Sequence, residues 1–372
     1  MLYLQIKAVP PPDFPDYKLE QITKLIHASD IHRAENKQKK RNKQLHKKRQ
    51  RYNSYATPKF LNTNISTNTL PKVKKVQQIN NTLIAKNTRL DVIIPLTSTG
   101  NIVVKRKLQK SRKRTVRLQK NNYTFSISLP NQKINTFSGH AKIAKDNSVV
   151  YSNYQEDTDV VVQAFEDSVR VLTILNDADA PTEYIYNVNV PIGGHLKKLN
   201  DGSVKILDKN NKFMGAIAPA WALDKEGKKV PTHYEIRGNK LIQIVEHLNL
   251  NITYPVVADP YIGSSMIAYA HWSHANPRVK GNPYYDYKLT VTPTTFGYSL
   301  SRYYYAKEGW IELTESGLPY MDEVVDSMRK QYYCHVNAAW IQYRDDYHLE
   351  QWRPDVNWWK LLRYGCNAPG HI

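Results

Sequence analysis

Clusters of turn-forming residues, about 10–15 residues apart, are the feature that most limits how residues 91–260 can fold. Between the clusters lie short segments rich in β-branched and aromatic residues, such as VRVLTIL and YIYNVNV. Segments of this kind, separated by Asn, Asp and Gly, are typical of strands joined by hairpins. The turn clusters are NDGS (200–203), DKNNK (208–212), DKEGKK (224–229) and RGNK (237–240). We therefore predict a mainly β fold, with an antiparallel β-sandwich or barrel-like module at residues 91–260.

Residues 261–372 have a different composition, with six of the seven tryptophans and fifteen of the 26 tyrosines. The segment LPYMDEVVDSMRKQYYCHV predicts a helix, because Pro319 suits a first helical turn and apolar residues recur after it at helical spacing. A second, short helix is predicted at residues 354–363. We therefore expect a small α+β C-terminal domain with a dense aromatic core. Trp358 and Trp359 are adjacent, so a single helix cannot direct both rings inward, and both are candidate contact residues.

The basic charge of the chain is concentrated in its first third. Residues 1–120 hold 28 Lys/Arg and 6 Asp/Glu, whereas the remainder holds 25 and 27. Residues 1–90 are predicted to form a basic, partly helical or disordered N-terminal arm and linker, because so charged a segment buries little apolar surface. The Lys/Arg-rich residues 37–51 and 105–117 are candidates for binding an anionic cell envelope. No specific nucleic acid is expected as a partner, since no aromatic residues interleave with the basic ones and no recognition motif is present.

The hydropathy of the chain predicts neither a transmembrane segment nor a clear signal peptide. The chain has no run of 18 apolar residues, so no transmembrane segment is predicted. Its first residues, MLYLQIKAVPPPDF, lack a basic n-region and do not form a clear signal peptide.

The two cysteines, Cys334 and Cys366, both lie in the last 39 residues. In an oxidising compartment one structural disulfide is the simplest interpretation, whereas in the cytosol both would be free thiols. A tetrahedral zinc site would need further soft ligands nearby, so no metal is predicted. No cofactor is predicted either.

Four residues are weak catalytic candidates. Glu312 and Glu315 are a pair of carboxylates that could act as general acid and base if the fold placed them about 5–10 Å apart around a substrate. His335 and Arg353 are possible partners for them. Cys334 precedes His335 directly, but neighbouring side chains on a helix or strand point apart, so adjacency does not make a Cys/His dyad. We therefore lean towards a protein without enzymatic activity.

The segment GWIELTESGLPYMDEVVDSMRKQYYCHVNAAW, followed by LEQWRPDV and a final GCN, resembles the bacterial family called domain of unknown function 2599. The resemblance covers about residues 269–369. Upstream, DADAPTEYIYNV, APAWALDKEGKKVPTHYEI and YPVVADP are similar to a β-rich module of exported proteins from Gram-positive bacteria. The resemblance implies secretion or surface display and supports a bridge between Cys334 and Cys366. It supplies no catalytic residue.

Two classes of function follow from this sequence. The first is an exported or cell-surface protein, in which the β-rich module presents a C-terminal recognition or interaction domain at residues 261–372. The alternative is a secreted effector or toxin-like hydrolase whose activity lies in that domain. Nucleic-acid binding through the basic N-terminal arm ranks third.

Overall fold

The structure is a computed structural model, and it describes a defined set of residues. These are residues 75–86, 90–97, 100–106, 115–116, 124–130, 141–144, 147–155, 157–248, 251–274, 287–300, 302–316, 318, 320, 324–342 and 346–369. Most of the predicted basic arm, including residues 37–51, lies outside this set.

The described residues are rich in strands. In chain order the strands are β1 (Lys75–Ile79), β2 (Thr82–Lys86), β3 (Leu90–Pro95), β4 (Asn101–Arg106), β5 (Thr115–Val116), β6 (Thr124–Ser128), β7 (Lys142–Ile143), β8 (Val149–Gln155), β9 (Thr158–Ala164), β10 (Ser168–Leu175), β11 (Glu183–Asn189), β12 (His195–Lys198), β13 (Val204–Leu207), β14 (Phe213–Ile217), β15 (Ala222–Leu223), β16 (Thr232–Arg237), β17 (Lys240–Val245), β18 (Val256–Ala258), β19 (Tyr261–Gly263), β20 (Ile267–His274), β21 (Tyr287–Pro293) and β22 (Tyr347–Glu350). The helices are α1 (Thr295–Ser299), α2 (Arg302–Thr314), α3 (Asp326–Gln342) and α4 (Trp358–Arg363).

The strands form three sheets, and all of their pairings are antiparallel. The first sheet has the order β1-β2-β3-β4-β6-β11-β17-β16. The second has the order β12-β13-β14-β19-β10-β9-β8-β7, with β15 and β18 attached beside β10. The third, in the C-terminal region, has the order β22-β21-β20-β5. This architecture confirms the predicted strand-rich fold with an α+β C-terminal region.

Two of the predicted turns use the same chemistry to reverse the chain. The Oδ1 atoms of Asp208 and Asp224 each accept hydrogen bonds from the backbone N–H groups two and four residues further on, at 2.8–2.9 Å. The residue three positions after each Asp, Asn211 or Gly227, has a positive φ of 60° or 82°. Asn and Gly adopt this left-handed conformation most easily, which explains their place in these turns.

The first two sheets pack face to face around one core of Val, Ile, Leu and Tyr side chains. Buried tyrosines of the first sheet reach across this core. The hydroxyl of Tyr186 on β11 lies 2.8 Å from Thr173 on β10, and Tyr234 on β16 donates to the backbone oxygen of Asp259 at 3.2 Å. A buried hydroxyl needs such a partner, so these bonds also fix the register of one sheet on the other.

The C-terminal region has its own core, but the β-rich module contributes to it. Phe165 and Ala216 of the second sheet pack into the cluster formed by Leu289, Phe296 and Tyr332. Strand β5, which comes from the N-terminal side of the module, pairs with β20. The two parts of the chain are therefore joined by both strand pairing and apolar packing.

Three features of the fold differ from the sequence prediction. Strands β1 and β2 lie within the predicted N-terminal linker, so the sheet begins before residue 91. Helix α2 was missed, because its many Tyr, Trp and Ile residues also suit a strand. Helix α3 begins at Asp326, several residues later than predicted, and the carbonyl of Val325 accepts its first hydrogen bond from Met328 at 3.0 Å.

Candidate functional site

A disulfide joins Cys334 of α3 to Cys366, which follows α4. The Sγ atoms are 2.01 Å apart, and the Cα atoms are 5.4 Å apart. Both cysteines are fully buried. Gly365 directly before Cys366 has a φ of 65°, and Cys366 itself has a φ of 70°, so the chain turns sharply to bring the thiol back to α3. The predicted pairing is confirmed, and no described cysteine is left as a nucleophile.

The two residues after Cys366 are also held, each by one of the catalytic candidates. The Nε2 atom of His335 lies 3.1 Å from Oδ1 of Asn367. The Nη1 atom of Arg353 donates to the backbone oxygen of Ala368 at 2.9 Å. Three consecutive tail residues are thus attached to the body of the domain. We call this set of contacts the tail clamp.

Arg353 is positioned for this contact by its own neighbours. Its Nε atom donates to the carboxylate of Glu350 on β22, three residues earlier. Its guanidinium carbon lies 5.6 Å from the centre of the Trp352 ring. Since the guanidinium is engaged by a carboxylate, an aromatic ring and a backbone carbonyl, the contacts of Arg353 are those of a structural residue.

Helix α3 protects the outer edge of the third sheet. Gln331 donates from Nε2 to the backbone oxygen of Glu350 at 2.9 Å, and its Oε1 accepts the N–H of the same residue at 2.8 Å. One helical turn later, Nε2 of His335 lies 3.1 Å from the backbone oxygen of His348. These two side chains occupy the hydrogen-bonding positions that a further strand would fill. They therefore close an edge that could otherwise pair with another chain.

The surroundings of His335 define its chemistry. Its Nε2 atom faces two oxygens that can only accept, those of His348 and Asn367. Nε2 must therefore carry the hydrogen. The ring stacks on Tyr347 with centroids 5.6 Å apart and planes 7° apart, and the residue is 1% exposed. The Nε2–H of this buried ring is therefore shared between two structural acceptors.

Glu312 lies on α2 and is buried. Its Oε1 atom receives Nη2 of Arg106 at 2.9 Å and the hydroxyl of Ser265, and its Oε2 atom receives the N–H of Met266 at 2.8 Å. Burial raises the pKa of the Glu312 carboxyl, and the Arg106 charge and these hydrogen bonds oppose the rise. Both oxygens are used to hold α2 against β4 and the segment before β20.

Glu312 belongs to a row of three acidic residues on one face of α2. Glu308 pairs with Lys205 on β13, and Glu315, just beyond the helix, pairs with Lys212 at 2.8 Å. Positions i, i+4 and i+7 lie on the same side of a helix, so the row faces the module as a whole. We call these three ion pairs the docking row. The Lys212 pair is exposed to solvent and contributes little, whereas the other two are largely buried.

The predicted candidates therefore fall into two separate sets of contacts. Glu312 and Glu315 belong to the docking row, whereas His335 and Arg353 belong to the tail clamp. Trp358 is buried beside the disulfide, and Trp359 is half-buried against the same small cluster.

The sequence analysis missed Arg106 of the docking row and Gln331 at the β22 edge. Arg106 was assigned to the basic run 105–117, but it is only 8% exposed. The alternation in NIVVKR could have revealed this, because Ile102, Val104 and Arg106 share the buried face of β4. Gln331 has no such signal in the sequence, since its role depends on where β22 lies.

Among the described residues, one cluster of three acidic side chains belongs to neither set of contacts. Carboxylate oxygens of Asp157, Asp177 and Asp179 lie within 4.8 Å of one another. Such groups are common on protein surfaces, and this one by itself defines no metal site. Across the described part of the chain, no helix is both long enough and apolar enough to cross a membrane.

The fold and these contacts define a strand-rich protein whose C-terminal α+β region is closed by a disulfide. Residues 269–369 match the model of a family described as Protein of unknown function (DUF2599). This confirms the resemblance of the C-terminal region that was noted in the sequence. No curated protein matches the chain.

Proposed function

We propose that this chain is an exported or cell-surface protein of a Gram-positive bacterium, in which the β-rich module presents the DUF2599 domain as a recognition element. The carrying observation is that Glu312, Glu315, His335 and Arg353 each have a partner within the chain, in two sets of contacts that stabilise the fold. They support a role in recognition rather than catalysis.

The disulfide supports export. Disulfides persist in oxidising compartments and are rare in the cytosol, where thiols are kept reduced. Both sulfur atoms are buried, which fits a permanent structural bond rather than a catalytic one.

The docking row supports a presenting role for the module. It holds α2 on the two packed sheets. Asp167, between β9 and β10, adds a further link between the module and the C-terminal region. Its Oδ2 atom accepts the N–H of Thr295 at 2.7 Å, at the start of α1. We propose that residues 91–260 are a rigid support for residues 261–372, with residues 1–90 as a basic arm that β1 and β2 join to the first sheet.

The basic arm gives the proposal a second part. Its residues 37–51 would be attracted to the anionic polymers of a cell envelope, because clustered Lys and Arg create a long-range positive potential. Of the second basic stretch, Arg106 cannot take part, since it is buried against Glu312.

The test is to recover the native protein from its own cells and determine its location and thiol state. We expect it in the culture medium or on the cell surface, with no thiol that reacts under denaturing conditions. Protein that is found only in the cytosol, with two reactive thiols, would contradict the proposal.

Envelope binding is tested separately with purified cell walls. We expect the full chain to bind, and salt to weaken the binding strongly when residues 1–74 are present. A variant without residues 1–74 should retain only the binding that residues 75–372 provide. The effector alternative would gain support if the same full chain, but not its unfolded form, hydrolysed a component of those walls.

A further inference from the structure

Arg170 on β10 has a setting that neither the tail clamp nor the docking row explains. Its guanidinium carbon lies 4.9 Å from the centre of the Tyr261 ring and 5.7 Å from that of Phe165. These two rings meet edge to face at 6.3 Å. The guanidinium is thus held over a pair of aromatic rings on the second sheet, where that sheet meets the C-terminal region.

One hydrogen-bonding group of this guanidinium has no partner. Within the described part of the chain, its buried Nε atom has no acceptor in reach. Cation–π contacts contribute about 0.5–2 kcal/mol, which does not replace lost hydrogen bonds to water. A half-buried arginine that is oriented by rings, with its Nε–H group unused, is arranged to receive an anion.

A second unpartnered group lies beside it. Asp259 is fully buried, and its Oδ1 atom accepts the N–H of Trp221 at 3.4 Å. Its Oδ2 atom has no hydrogen-bond partner among the described residues. Arg170 is close enough to act on this carboxyl electrostatically, yet the two groups do not form an ion pair within 4 Å. Burial raises the pKa of Asp259 to about 8, so at neutral pH the carboxyl is mostly protonated and can donate a hydrogen bond.

We propose that Arg170 anchors a binding site for a small carboxylate ligand with an apolar body. The planar guanidinium matches a carboxylate with two parallel N–H donors. The neutral carboxyl of Asp259 can donate to the same ligand instead of repelling it. The rings of Phe165 and Tyr261, over which the guanidinium lies, supply an apolar wall for the rest of the molecule.

This site is independent of the proposed export and presentation. It lies in the second sheet, beside Phe296 of α1, whose ring is 5.2 Å from that of Tyr261. A ligand bound there would contact the boundary between the module and the C-terminal region.

The test uses three probes with the full chain: benzoate, its uncharged analogue benzamide, and inorganic phosphate. Binding is measured by calorimetry and through the side-chain Nε–H signal of Arg170 in nitrogen-15 NMR spectra. We expect saturable binding of benzoate with a shift of that signal, at least tenfold weaker binding of benzamide, and weaker binding of phosphate, which has no apolar body.

Three variants complete the test. Arg170→Gln should lose benzoate binding, and Arg170→Lys should weaken it at least tenfold, because lysine keeps the charge but lacks the two-pronged geometry. Arg237→Gln is the matched control, since Arg237 is an exposed arginine on β16 that pairs with Glu235. It should bind benzoate as the wild type does. Near-ultraviolet circular dichroism confirms that each variant is folded.

Several results would overturn the proposal. Equal binding of benzoate and benzamide would show that the carboxylate is not recognised, and phosphate binding as tight as that of benzoate would remove the apolar wall from the site. An unchanged Arg170 signal on addition of benzoate would also refute it, and this measurement on the wild type does not depend on whether the variants fold.

Discussion

Arg106 and Glu312 are 206 positions apart in the chain, yet Nη2 of the arginine lies 2.9 Å from Oε1 of the glutamate, and both side chains are buried. The arginine ends a strand of the first sheet, and the glutamate lies near the C-terminal end of α2. This pair therefore couples the folding of the β-rich module to that of the C-terminal region.

Removing one partner of this pair should destabilise the protein strongly. We expect Arg106→Met to lower the free energy of unfolding by about 3–5 kcal/mol, because it leaves the Glu312 carboxylate buried without its counter-charge. Urea denaturation measures the change. Adding Glu312→Gln to the variant should restore part of the stability, since the uncompensated charge is then gone. Lys105→Ala, at the exposed neighbouring position, should have almost no effect. If Arg106→Met and Lys105→Ala lowered the free energy of unfolding equally, this would contradict a structural role for the Arg106–Glu312 pair.

Breaking the disulfide should loosen the tail. The cysteines are 32 residues apart, and the chain-entropy relation for a loop of this length gives about 3–4 kcal/mol of stabilisation. We expect the double variant Cys334→Ser/Cys366→Ser to lose about this amount in urea denaturation. A reducing agent should destabilise the wild type similarly and leave the double variant unchanged. If reduction left the stability of the wild type intact, the bond would not support the fold.

Asp259 should make the stability fall as pH rises. Its pKa is about 8 in the folded protein, against about 3.9 in an unfolded chain, so the folded state binds the extra proton between these values. Unfolding free energy should therefore decrease with pH across this window, by at most about 1.4 kcal/mol per pH unit. We expect Asp259→Asn to remove this component, as seen in urea midpoints at pH 5 and pH 8.5.

Asp224 provides the control for that measurement. Its pKa is lowered, because hydrogen bonds from Thr253, Lys228 and Glu226 outweigh the effect of burial. A group with a lowered pKa loses its stabilising effect only as pH falls through its folded pKa, which here lies below the ordinary value of an aspartate. Asp224→Asn should therefore change stability equally at pH 5 and pH 8.5. A similar pH profile for both Asn variants would show that the Asp259 carboxyl is not the source of the slope.

Gln331 should be required for the integrity of the β22 edge. We expect Gln331→Ala to cost about 1–3 kcal/mol, because the backbone N–H of Glu350 loses its buried acceptor. In Gln331→Ala, the N–H of Glu350 should exchange with solvent faster than the N–H groups of the other strands in the sheet. The control is Lys330→Ala, on the adjacent surface position of α3, whose pairing with Asp355 is partly exposed. Unchanged protection of Glu350 in Gln331→Ala would exclude the proposed edge contact.

Replacing Gly309 with a larger residue should destabilise the protein as long as Tyr332 carries its hydroxyl. A Cβ atom at position 309 would overlap that hydroxyl, where α2 crosses α3. We expect Gly309→Ala to cost about 1–3 kcal/mol through this overlap, although alanine favours a helix. Adding Tyr332→Phe should recover much of the loss, because the nearest remaining ring atom is 3.3 Å from the new Cβ. Thermal unfolding of the two single variants and the double variant measures this; a double variant as unstable as the sum of the singles would contradict the overlap.

Much of the fold follows from local patterns that the sequence displays. Strands β13 and β14 pair directly with each other, and Asp208 between them accepts hydrogen bonds from N–H groups within the next four residues, so this hairpin needs no distant partner. The pairing of Cys334 with Cys366 was equally accessible, since the chain has only two cysteines.

The candidate site was harder to predict from the sequence, because its residues act through partners that are far away in the chain. Glu312 and His335 were noticed for their chemical types, but those types suit catalysis and structural hydrogen bonding equally well. The approach of Arg106 to Glu312, and of Asn367 and β22 to His335, becomes visible only in the tertiary structure.

The sequence by itself determined the strand-rich architecture, the aromatic C-terminal region and the single possible disulfide, because propensity, turn chemistry and cysteine number act over short distances. The tertiary structure alone decided which carboxylates are neutralised, which edge is covered and which guanidinium nitrogen is left without a hydrogen-bond partner among the described residues. Those outcomes depend on burial and on contacts between residues up to 206 positions apart, and no local pattern encodes them.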